Sequence, residues 1–232
     1  MPFQREEHLR RSFLQHADPA LWCRGRNLGH VRTVMESTCS DGRADWVWAS
    51  VACDWPSRVP DGGSRLLQQP TCSRVLASVK PGSSRRESYL EARSGVTNGT
   101  FRYWLGELLE WGFLSEVAPK RYVLGPSYCE PEIEICSFEF KLHDWKRAFY
   151  QAKRYRTFSH RVFIVMPTEA AERVNGAFDL FRRFNVGFIT HGDDGASRRL
   201  LMCRKTQPTS RPRFIRALGM LLDQEAESPA AL

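Results

Sequence analysis

The sequence lacks the patterns that mark a metal-thiolate or disulfide-stabilised protein. Its seven cysteines include no C-x-x-C pair, and no two of its six histidines stand at metal-ligand spacing. Neither a zinc site nor a disulfide framework is therefore indicated, and we expect reduced, mostly buried thiols. The cysteines are Cys23, Cys39, Cys53, Cys72, Cys129, Cys136 and Cys203.

Long apolar runs are also missing. No uninterrupted apolar stretch approaches the roughly 18 residues of a membrane span. The first residues, 1–11, are polar and charged and contain no apolar segment of the kind found in secretory signals. We therefore expect a cytoplasmic protein with no membrane contact.

Acidic residues are in the minority. The 232 residues include 34 Lys and Arg against 26 Asp and Glu, which gives a formal net charge of +8. Such a balance suits a polyanionic partner, although many proteins without one share it. The apolar content of 42% is ordinary for a globular protein, and the length allows one large or two small domains.

The most informative pattern is Glu139-Phe140-Lys141, which ends an apolar stretch at 133–138. Side chains alternate along a strand, so Glu139 and Lys141 should point one way while Phe138 and Phe140 face the core. A carboxylate there can hold a divalent metal, and a lysine beside it can orient an attacking water. A surface strand with an ion pair has the same Glu-x-Lys pattern, so the pattern needs support from its context.

That context comes from two other segments. Asp45 stands at the start of a predicted strand over 44–52, and Gln151 and Tyr155 lie four residues apart on a predicted helix. Together with Glu139 and Lys141, these residues resemble the PD-(D/E)xK nuclease superfamily, and Gln151 to Tyr155 resembles the Q-x-x-x-Y motif of its RecB-like branch. The resemblance covers roughly residues 3–55 and 130–192.

Two features depart from the family pattern. Ala44 stands where the family name has proline, and 139 − 45 = 94 residues separate the two expected metal ligands. A separate structural unit must therefore fill the middle of the chain.

The resemblance implies an α/β fold with a mixed, restriction-endonuclease-like sheet flanked by helices, and Mg²⁺ or Mn²⁺ as cofactor. It implies that Asp45, Glu139 and the Phe140 backbone carbonyl hold the ion and that Lys141 positions water. Gln151 would support the site or contact a phosphate. For Asp45 the alternative is a hydrogen bond in a turn.

Two further residues carry open alternatives. Glu6, on the first predicted helix, could add a metal ligand or could be a solvated glutamate at the start of a helix. Tyr155 could support the site, contact a phosphate or pack into the core.

The middle segment has the signals of a winged helix-turn-helix. After a linker rich in Pro, Gly and Ser at 56–63, apolar spacing predicts helices at 69–79, 84–93 and 97–111. Two short strands are predicted after the third helix, at 112–114 and 120–124, with a turn at Pro119 between them. The segment around the third helix looks like the winged helices of bacterial regulators. We therefore predict a DNA-binding domain at 63–126, inserted between the second and third strands of the nuclease core.

The core is predicted in two parts, 1–58 and 130–222, followed by a disordered tail at 223–232. The first part contains a helix at 6–15 and a hairpin of strands 28–38 and 44–52 with a turn at Ser40-Asp41-Gly42. The second part contains strand 132–141, helix 144–157 capped by Asp144, strand 162–166, helix 168–184 and strand 186–190.

Basic residues suggest where a nucleic acid would lie. Residues 141–161 contain seven Lys or Arg against one acidic residue, and residues 196–216 contain seven against none. A solvated charged face is the usual explanation of such runs, but beside a phosphodiesterase site a phosphate-tracking groove is favoured. The predicted nucleic-acid contacts are Asn98, Thr100, Arg102, Lys120, Arg121, Lys146, Lys153, Arg154 and Tyr155.

The sequence thus predicts a Mg²⁺- or Mn²⁺-dependent deoxyribonuclease that acts on duplex or branched DNA. One alternative is a non-cleaving DNA-binding regulator or defence-associated sensor on the same scaffold. Another is a protein-interaction scaffold, in which the winged helix binds protein or acts as a spacer. The choice between DNA and RNA, between endo- and exonuclease, and the oligomeric state, a homodimer included, stay open.

Overall fold

The chain folds into two compact units in a computed structural model, which describes residues 3–23, 30–39, 42–51, 59–128 and 130–224. Unit 1 comprises Met1–Val51, Ile133–Thr209 and Ala226–Leu232, and unit 2 comprises Ala52–Glu132 and Ser210–Glu225. The middle of the sequence therefore forms a unit separate from unit 1, together with residues 210–225.

Unit 1 is built on a six-stranded mixed sheet with helices. The strands are β1 (His30–Cys39), β2 (Gly42–Val51), β6 (Ile133–Phe140), β7 (Arg161–Pro167), β8 (Gly187–His191) and β9 (Ser197–Leu201), and they lie in the order β1-β2-β6-β7-β8-β9. The β6, β7 and β8 strands pair in parallel, and the other neighbours pair antiparallel. The helices are α1 (Glu6–His16), α6 (Trp145–Tyr155), α7 (Ala171–Asn175) and α8 (Phe178–Phe184).

One face of this sheet packs against α1. Leu9 and Phe13 stand four residues apart on that helix, so one helical face carries both, and both are fully buried. The Phe13 ring contacts the rings of Trp46, Phe138 and Phe140 from the sheet. The predicted alternation in β6 is therefore confirmed for Phe138 and Phe140, which lie in the core while the residues between and after them face the other way.

The helix α6 lies against β2, β6 and β7 and begins at a predicted cap. The Asp144 side chain accepts a hydrogen bond from the Arg147 main-chain N–H at 2.9 Å, which satisfies one free donor of the first helical turn. Ala148, Ala152 and Tyr155 form its buried face. The strand β7 is buried along its whole length, as its continuous apolar run predicts.

Unit 2 combines helices with a small sheet of three antiparallel strands. The strands are β3 (Arg85–Arg86), β4 (Leu114–Ala118) and β5 (Arg121–Leu124), and they lie in the order β3-β5-β4. The helices are α2 (Ser64–Gln68), α3 (Pro70–Ser78), α4 (Glu87–Ser94), α5 (Asn98–Glu110) and α9 (Arg211–Leu222). The core of the unit contains Val75, Leu76, Phe101, Leu105 and Leu108.

The last helix corrects the predicted domain boundary at 222. The helix α9 packs against α2 and α3, and Ile215 is buried in the core of unit 2, so α9 belongs to that unit. Gly219 makes the approach possible, because a Cβ at this position would lie 2.8 Å from the main-chain oxygen of Ser64. The sequence prediction missed α9 and assigned its residues to the nuclease core.

Three other predicted elements differ from the structure. The strand expected at 112–114 lies at Leu114–Ala118 as β4. The helix expected at 168–184 is divided into a 3-10 turn at Thr168–Ala170 and the short helices α7 and α8, with Gly176 and Ala177 between them. The helix expected at 84–93 starts later, because Arg85 and Arg86 pair with β5 as the strand β3. The turn residues Ser40 and Asp41, residues 56–58 of the predicted linker and the tail beyond 224 lie outside the described residues.

Four of the cysteines, Cys23, Cys72, Cys136 and Cys203, are buried free thiols. Among the described residues, no helix is both long and apolar enough to cross a bilayer.

Candidate active site

The pairing of β2 with β6 brings Asp45 beside Glu139. Trp46 pairs with Phe138, and the next residues along the two antiparallel strands are Asp45 and Glu139. Because alternate side chains face opposite ways, both carboxylates lie on the face away from Trp46 and Phe138. The Asp45 Oδ2 atom also accepts a hydrogen bond of 2.8 Å from the main-chain N–H of Phe140. The register of β2 and β6 thus places side by side two carboxylates that are far apart in the sequence.

Lys141 extends its ammonium group into the same cluster. Its Nζ atom lies 3.1 Å from Glu139 Oε1 and 2.9 Å from Glu6 Oε2, and it donates to the Phe140 carbonyl at 3.0 Å. The side chain of Lys141 is 12% exposed, whereas that of Glu6 is 48% exposed. One ammonium therefore contacts three of the oxygen groups that the sequence predicts as metal ligands.

Tyr155 holds the other oxygen of Glu139. Its hydroxyl forms a hydrogen bond with Glu139 Oε2 and lies 2.8 Å from the main-chain carbonyl of Arg43. Tyr155 is buried on the face of α6 that lies against the sheet. A side chain in that position cannot reach a phosphate, so the prediction of Tyr155 as a nucleic-acid contact is corrected. Of the alternatives for Tyr155, the structure supports a role in positioning Glu139.

The electrostatics of the cluster follow from its burial. Burial and the neighbouring Asp45 raise the pKa of Glu139 to about 7, and burial also raises the pKa of Asp45. For Lys141, burial acts to lower the pKa, but Glu139, Glu6 and Asp45 outweigh it and raise the pKa above its ordinary value. Two neighbouring carboxylates, of which Glu139 is fully buried, therefore favour a bound cation in addition to Lys141.

The donor set fits a hard divalent cation. Asp45 and Glu139 offer carboxylate oxygens, Phe140 offers a carbonyl, and Glu139 Oε1 is buried without an aligned hydrogen bond despite its ion-pair distance to Lys141. No cluster of three or more His, Cys, Asp or Glu side chains suited to a metal ion occurs in the described part of the chain. Mg²⁺ is commonly held by one or two carboxylates together with water and substrate phosphate, so two carboxylates suffice.

Gln151 is placed on α6 one turn before Tyr155, as its spacing predicts. Its Oε1 atom is buried and has no hydrogen-bond partner among the described residues. An amide oxygen without a partner in a buried position is costly, so a water or a ligand is expected to satisfy it. Among the described residues, Gln151 forms no hydrogen bond with Asp45 or Glu139.

The predicted nucleic-acid contacts on α6 divide into two groups. Lys146 and Arg154 are exposed, whereas the Lys153 ammonium lies 3.9 Å from the centroid of the Phe184 ring and is half-buried. The ring stabilises the ammonium, and its half-buried position makes Lys153 less accessible to a phosphate than Lys146 and Arg154. The exposed Tyr150, which the prediction omitted, lies on this helix between Lys146 and Arg154.

In unit 2, four of the five predicted contacts line one groove of about 380 Å³, which we call the wing groove. Asn98 and Arg102 come from α5, and Lys120 and Arg121 come from the turn and strand of the β4–β5 hairpin. Thr100 is not part of the lining and instead forms a hydrogen bond of 3.1 Å with Thr97 through their hydroxyls.

The wing groove also contains residues that the sequence prediction missed. Arg86 adds a cation, while Glu87 and Glu91 add two carboxylates, and Glu91 accepts a hydrogen bond of 2.6 Å from the Asn98 amide. The Arg85-Arg86 pair just before α4 was the available signal for the extra cation. The groove therefore has four cations against two carboxylates, which keeps it positive but weakens its attraction for phosphate.

Comparisons of the chain with protein-family models, with characterised proteins and with solved structures found no significant match.

Proposed function

We propose that this chain is a Mg²⁺- or Mn²⁺-dependent deoxyribonuclease that hydrolyses phosphodiester bonds. The observation that carries the proposal is the convergence of Asp45 with Glu139 and Lys141, from a distant part of the sequence, at one strand end where Glu139 is fully buried. Two carboxylates with raised pKa values cost folding free energy, so a site that keeps them together is explained by a ligand that needs both.

Each residue has a distinct role in this proposal. Asp45, Glu139 and the Phe140 carbonyl would hold the ion, which when bound supplies Lewis-acid chemistry and lowers the pKa of coordinated water. Lys141 would orient the attacking water or neutralise charge on the phosphoryl oxygens through its ammonium group. Tyr155 fixes the Glu139 carboxylate through Oε2, so that Oε1, which lies 3.1 Å from the Lys141 ammonium, would be available to the ion.

The role of Glu6 follows from its ion pair with Lys141. In the structure its carboxylate binds the Lys141 ammonium at 2.9 Å and is half-exposed, so it neutralises the lysine at the mouth of the cluster. Arrival of an anionic substrate would compete with Glu6 for the same ammonium. Glu6 therefore serves better as a partner that holds Lys141 in place than as a third metal ligand.

The two-unit architecture supports the DNA assignment. We interpret the mixed sheet of unit 1 as the PD-(D/E)xK type, and α3, α4 and α5 with the β4–β5 hairpin as a winged helix. In that arrangement α5 would approach a groove of the duplex with Arg102, and the hairpin would reach the adjacent phosphates with Lys120 and Arg121. Exposed Lys146 and Arg154 on α6 would follow the backbone near the cleavage site.

Cleavage assays on labelled single-stranded, duplex, flapped and branched DNA, each with Mg²⁺, Mn²⁺ or EDTA, test the proposal. We expect cutting only with a divalent metal, and none by the Glu139→Gln protein, which keeps the shape of the side chain but removes its charge. Full activity in EDTA, or wild-type rates for Glu139→Gln, would refute the proposal. The folded state of the variant is checked by its thermal melt.

A second candidate is a non-cleaving DNA-binding regulator or defence-associated sensor on the same scaffold. The observation that favours it is the Lys141 ammonium, which already supplies positive charge to Glu139, Glu6 and the Phe140 carbonyl. Calorimetric titration with Mn²⁺ separates the two candidates. Binding that is abolished in Glu139→Gln supports the nuclease, whereas the absence of binding together with intact DNA affinity supports the regulator.

A further inference from the structure

Unit 2 contains a second groove, of about 310 Å³, which shares no lining residue with the wing groove. We call it the arginine groove. It is formed by α3, α4, β3 and the first turn of α9, together with the segment that follows α3. Its polar lining includes Arg74, Lys80, Arg85, Tyr89, Arg93 and Arg211.

The charge of the arginine groove is of one sign. Five cations line it and no carboxylate does, whereas the wing groove has four cations and two carboxylates. Arg211 is paired with Glu130 at 2.6 Å. The other four cations, Arg74, Lys80, Arg85 and Arg93, form no ion pair with any carboxylate of the described residues. The arginine groove is therefore the stronger site for a polyanion.

The helix α4 explains how one element serves two grooves. Tyr89 and Arg93 stand four residues apart and share one face of the helix, and Glu87 and Glu91 share another. The first face lines the arginine groove and the second lines the wing groove. The sequence of α4 thus places its acidic residues away from the arginine groove.

Two of the guanidinium groups are held in place by main-chain oxygens. Arg74 donates from Nη1 to the Ser94 carbonyl at 3.1 Å, and Arg85 donates from Nε to the Ser78 carbonyl at 3.3 Å. Each guanidinium keeps further N–H groups for a ligand, since arginine has five donors. A guanidinium that is already oriented loses less entropy when it binds phosphate, which raises affinity.

An aromatic ring stands among these cations. Tyr89 is 41% exposed, and the guanidinium carbons of Arg85 and Arg93 each lie 5.6 Å from the centre of its ring. An acidic peptide would use only the cations and would make no use of the exposed part of the ring. A nucleic acid uses both, because phosphates bind the arginines and a base stacks on the ring.

We propose that the arginine groove binds single-stranded nucleic acid, with a base stacked on Tyr89 and phosphates bound by Arg74, Lys80, Arg85 and Arg93. A single strand is required because the bases of a duplex are stacked on one another and cannot offer a face to Tyr89. This site adds to the proposed function, since it provides a place for an unpaired strand, and it does not depend on cleavage.

Fluorescence anisotropy with labelled oligo(dT) of about 15 nucleotides, a length that spans a typical single-strand site, tests the proposal on the full-length chain in EDTA. A blunt duplex of equal length is the comparison. Lys80→Glu and Arg93→Glu are the charge variants, because neither side chain makes a structural hydrogen bond in the described residues. Arg65→Glu is the matched control, since Arg65 is exposed in the same unit and lines neither groove.

We expect the Lys80→Glu, Arg93→Glu double variant to bind the single strand about tenfold or more weakly, with a salt dependence flatter by about 0.7 for each phosphate that it no longer binds. Tyr89→Ala should weaken single-strand binding about tenfold, the effect of one stacked base, while Tyr89→Phe retains it. Equal weakening for duplex and single strand, or variants that bind like Arg65→Glu, would overturn the proposal.

Photocrosslinking gives an independent readout that needs no variant. Oligo(dT) carrying 5-iodouracil should crosslink to Tyr89, because a stacked halogenated base reacts with the ring beneath it. Mass spectrometry of the digest then locates the adduct. Crosslinks confined to residues 98–121 would place the strand in the wing groove and would refute the assignment to the arginine groove.

Discussion

The Asp45 carboxylate accepts a hydrogen bond of 2.8 Å from the main-chain N–H of Phe140, a residue 95 positions later in the chain. This contact fixes the carboxylate against the strand that carries Glu139, and it leaves the second oxygen of Asp45 without this constraint. The same residue therefore has a structural bond through one oxygen and a proposed ligand role through the other.

The dual role of Asp45 predicts that Asp45→Asn and Asp45→Ala differ. The asparagine side chain keeps an oxygen for the Phe140 N–H but removes the charge, so we expect cleavage to fall by about 100-fold or more with little change in stability. Asp45→Ala also leaves a buried donor without a partner, which costs about 1–3 kcal/mol of unfolding free energy. Cleavage rates and urea titrations of both variants measure these effects, and wild-type cleavage by Asp45→Asn would contradict the prediction.

Tyr155→Phe tests the positioning of Glu139. Removal of the hydroxyl leaves the buried Glu139 Oε2 without this donor, at a cost of about 1–3 kcal/mol. We expect the variant to need a higher Mg²⁺ concentration for half-maximal cleavage, because a less fixed carboxylate binds the ion more weakly. Saturating metal should then restore much of the rate. A variant with an unchanged metal requirement would show that Tyr155 is only a core residue.

Arg102→Ala should weaken duplex binding and reduce the slope of log K against log salt by about one unit, the value expected when one phosphate is no longer neutralised. Cleavage chemistry under saturating enzyme should be unaffected, because Arg102 lines the wing groove in unit 2. Arg65→Ala, an exposed arginine of the same unit, is the control for nonspecific charge. Equal salt slopes for the two variants would mean that α5 does not contact the DNA backbone.

Two glycine substitutions in unit 2 should have opposite effects on stability, because α9 packs closely at Gly219 and α5 has open space at Gly106. Gly219→Ala would bring a Cβ within 2.8 Å of the Ser64 main-chain oxygen, so we expect destabilisation by about 1–3 kcal/mol from forced displacement of α2. Gly106→Ala lies in α5 with open space around it and should stabilise that helix by about 0.5–1 kcal/mol. Denaturant midpoints of the two variants provide the check. An unchanged denaturant midpoint for the Gly219→Ala protein would argue against the close approach of α9 and α2.

His160 predicts part of the acid sensitivity of the fold. Burial lowers its pKa to about 4, and its Nδ1 atom accepts a hydrogen bond of 3.0 Å from the main-chain N–H of Ile135. The unfolded chain therefore binds a proton that the folded chain does not, between about pH 6.5 and 4. Stability contributed by neutral His160 is present above this window and is lost as the pH falls through it.

His160→Asn should flatten this dependence, because an asparagine oxygen can accept the same hydrogen bond and does not titrate. Unfolding free energies measured at intervals from about pH 7 down to about pH 4.5 give the comparison, because the other titrating groups, Glu139 among them, are the same in both proteins and cancel in the difference. If wild type and His160→Asn lose the same stability over this range, another group is responsible for the sensitivity.

The local features of this protein follow from its sequence. The alternation of Glu139 and Lys141 with Phe138 and Phe140, and the cap of α6 at Asp144, depend on the periodicity of one strand and on the first turn of one helix. Such patterns involve residues within a few positions of each other, so the sequence alone predicts them. The change in composition after β2 likewise indicates that a separate unit divides unit 1 into two parts.

The tertiary structure decided what depends on distant parts of the chain. The direction of Tyr155 towards Glu139 and the membership of α9 in unit 2 come from packing between elements. The separation of the acidic and basic faces of α4 into two grooves comes from the same source. Helical periodicity shows which residues share a face but not what that face meets, because the partner is chosen by shape and burial across the whole fold. The sequence therefore supplied the charged groups, and the packing of β2 against β6 and α6 determined which of them act together.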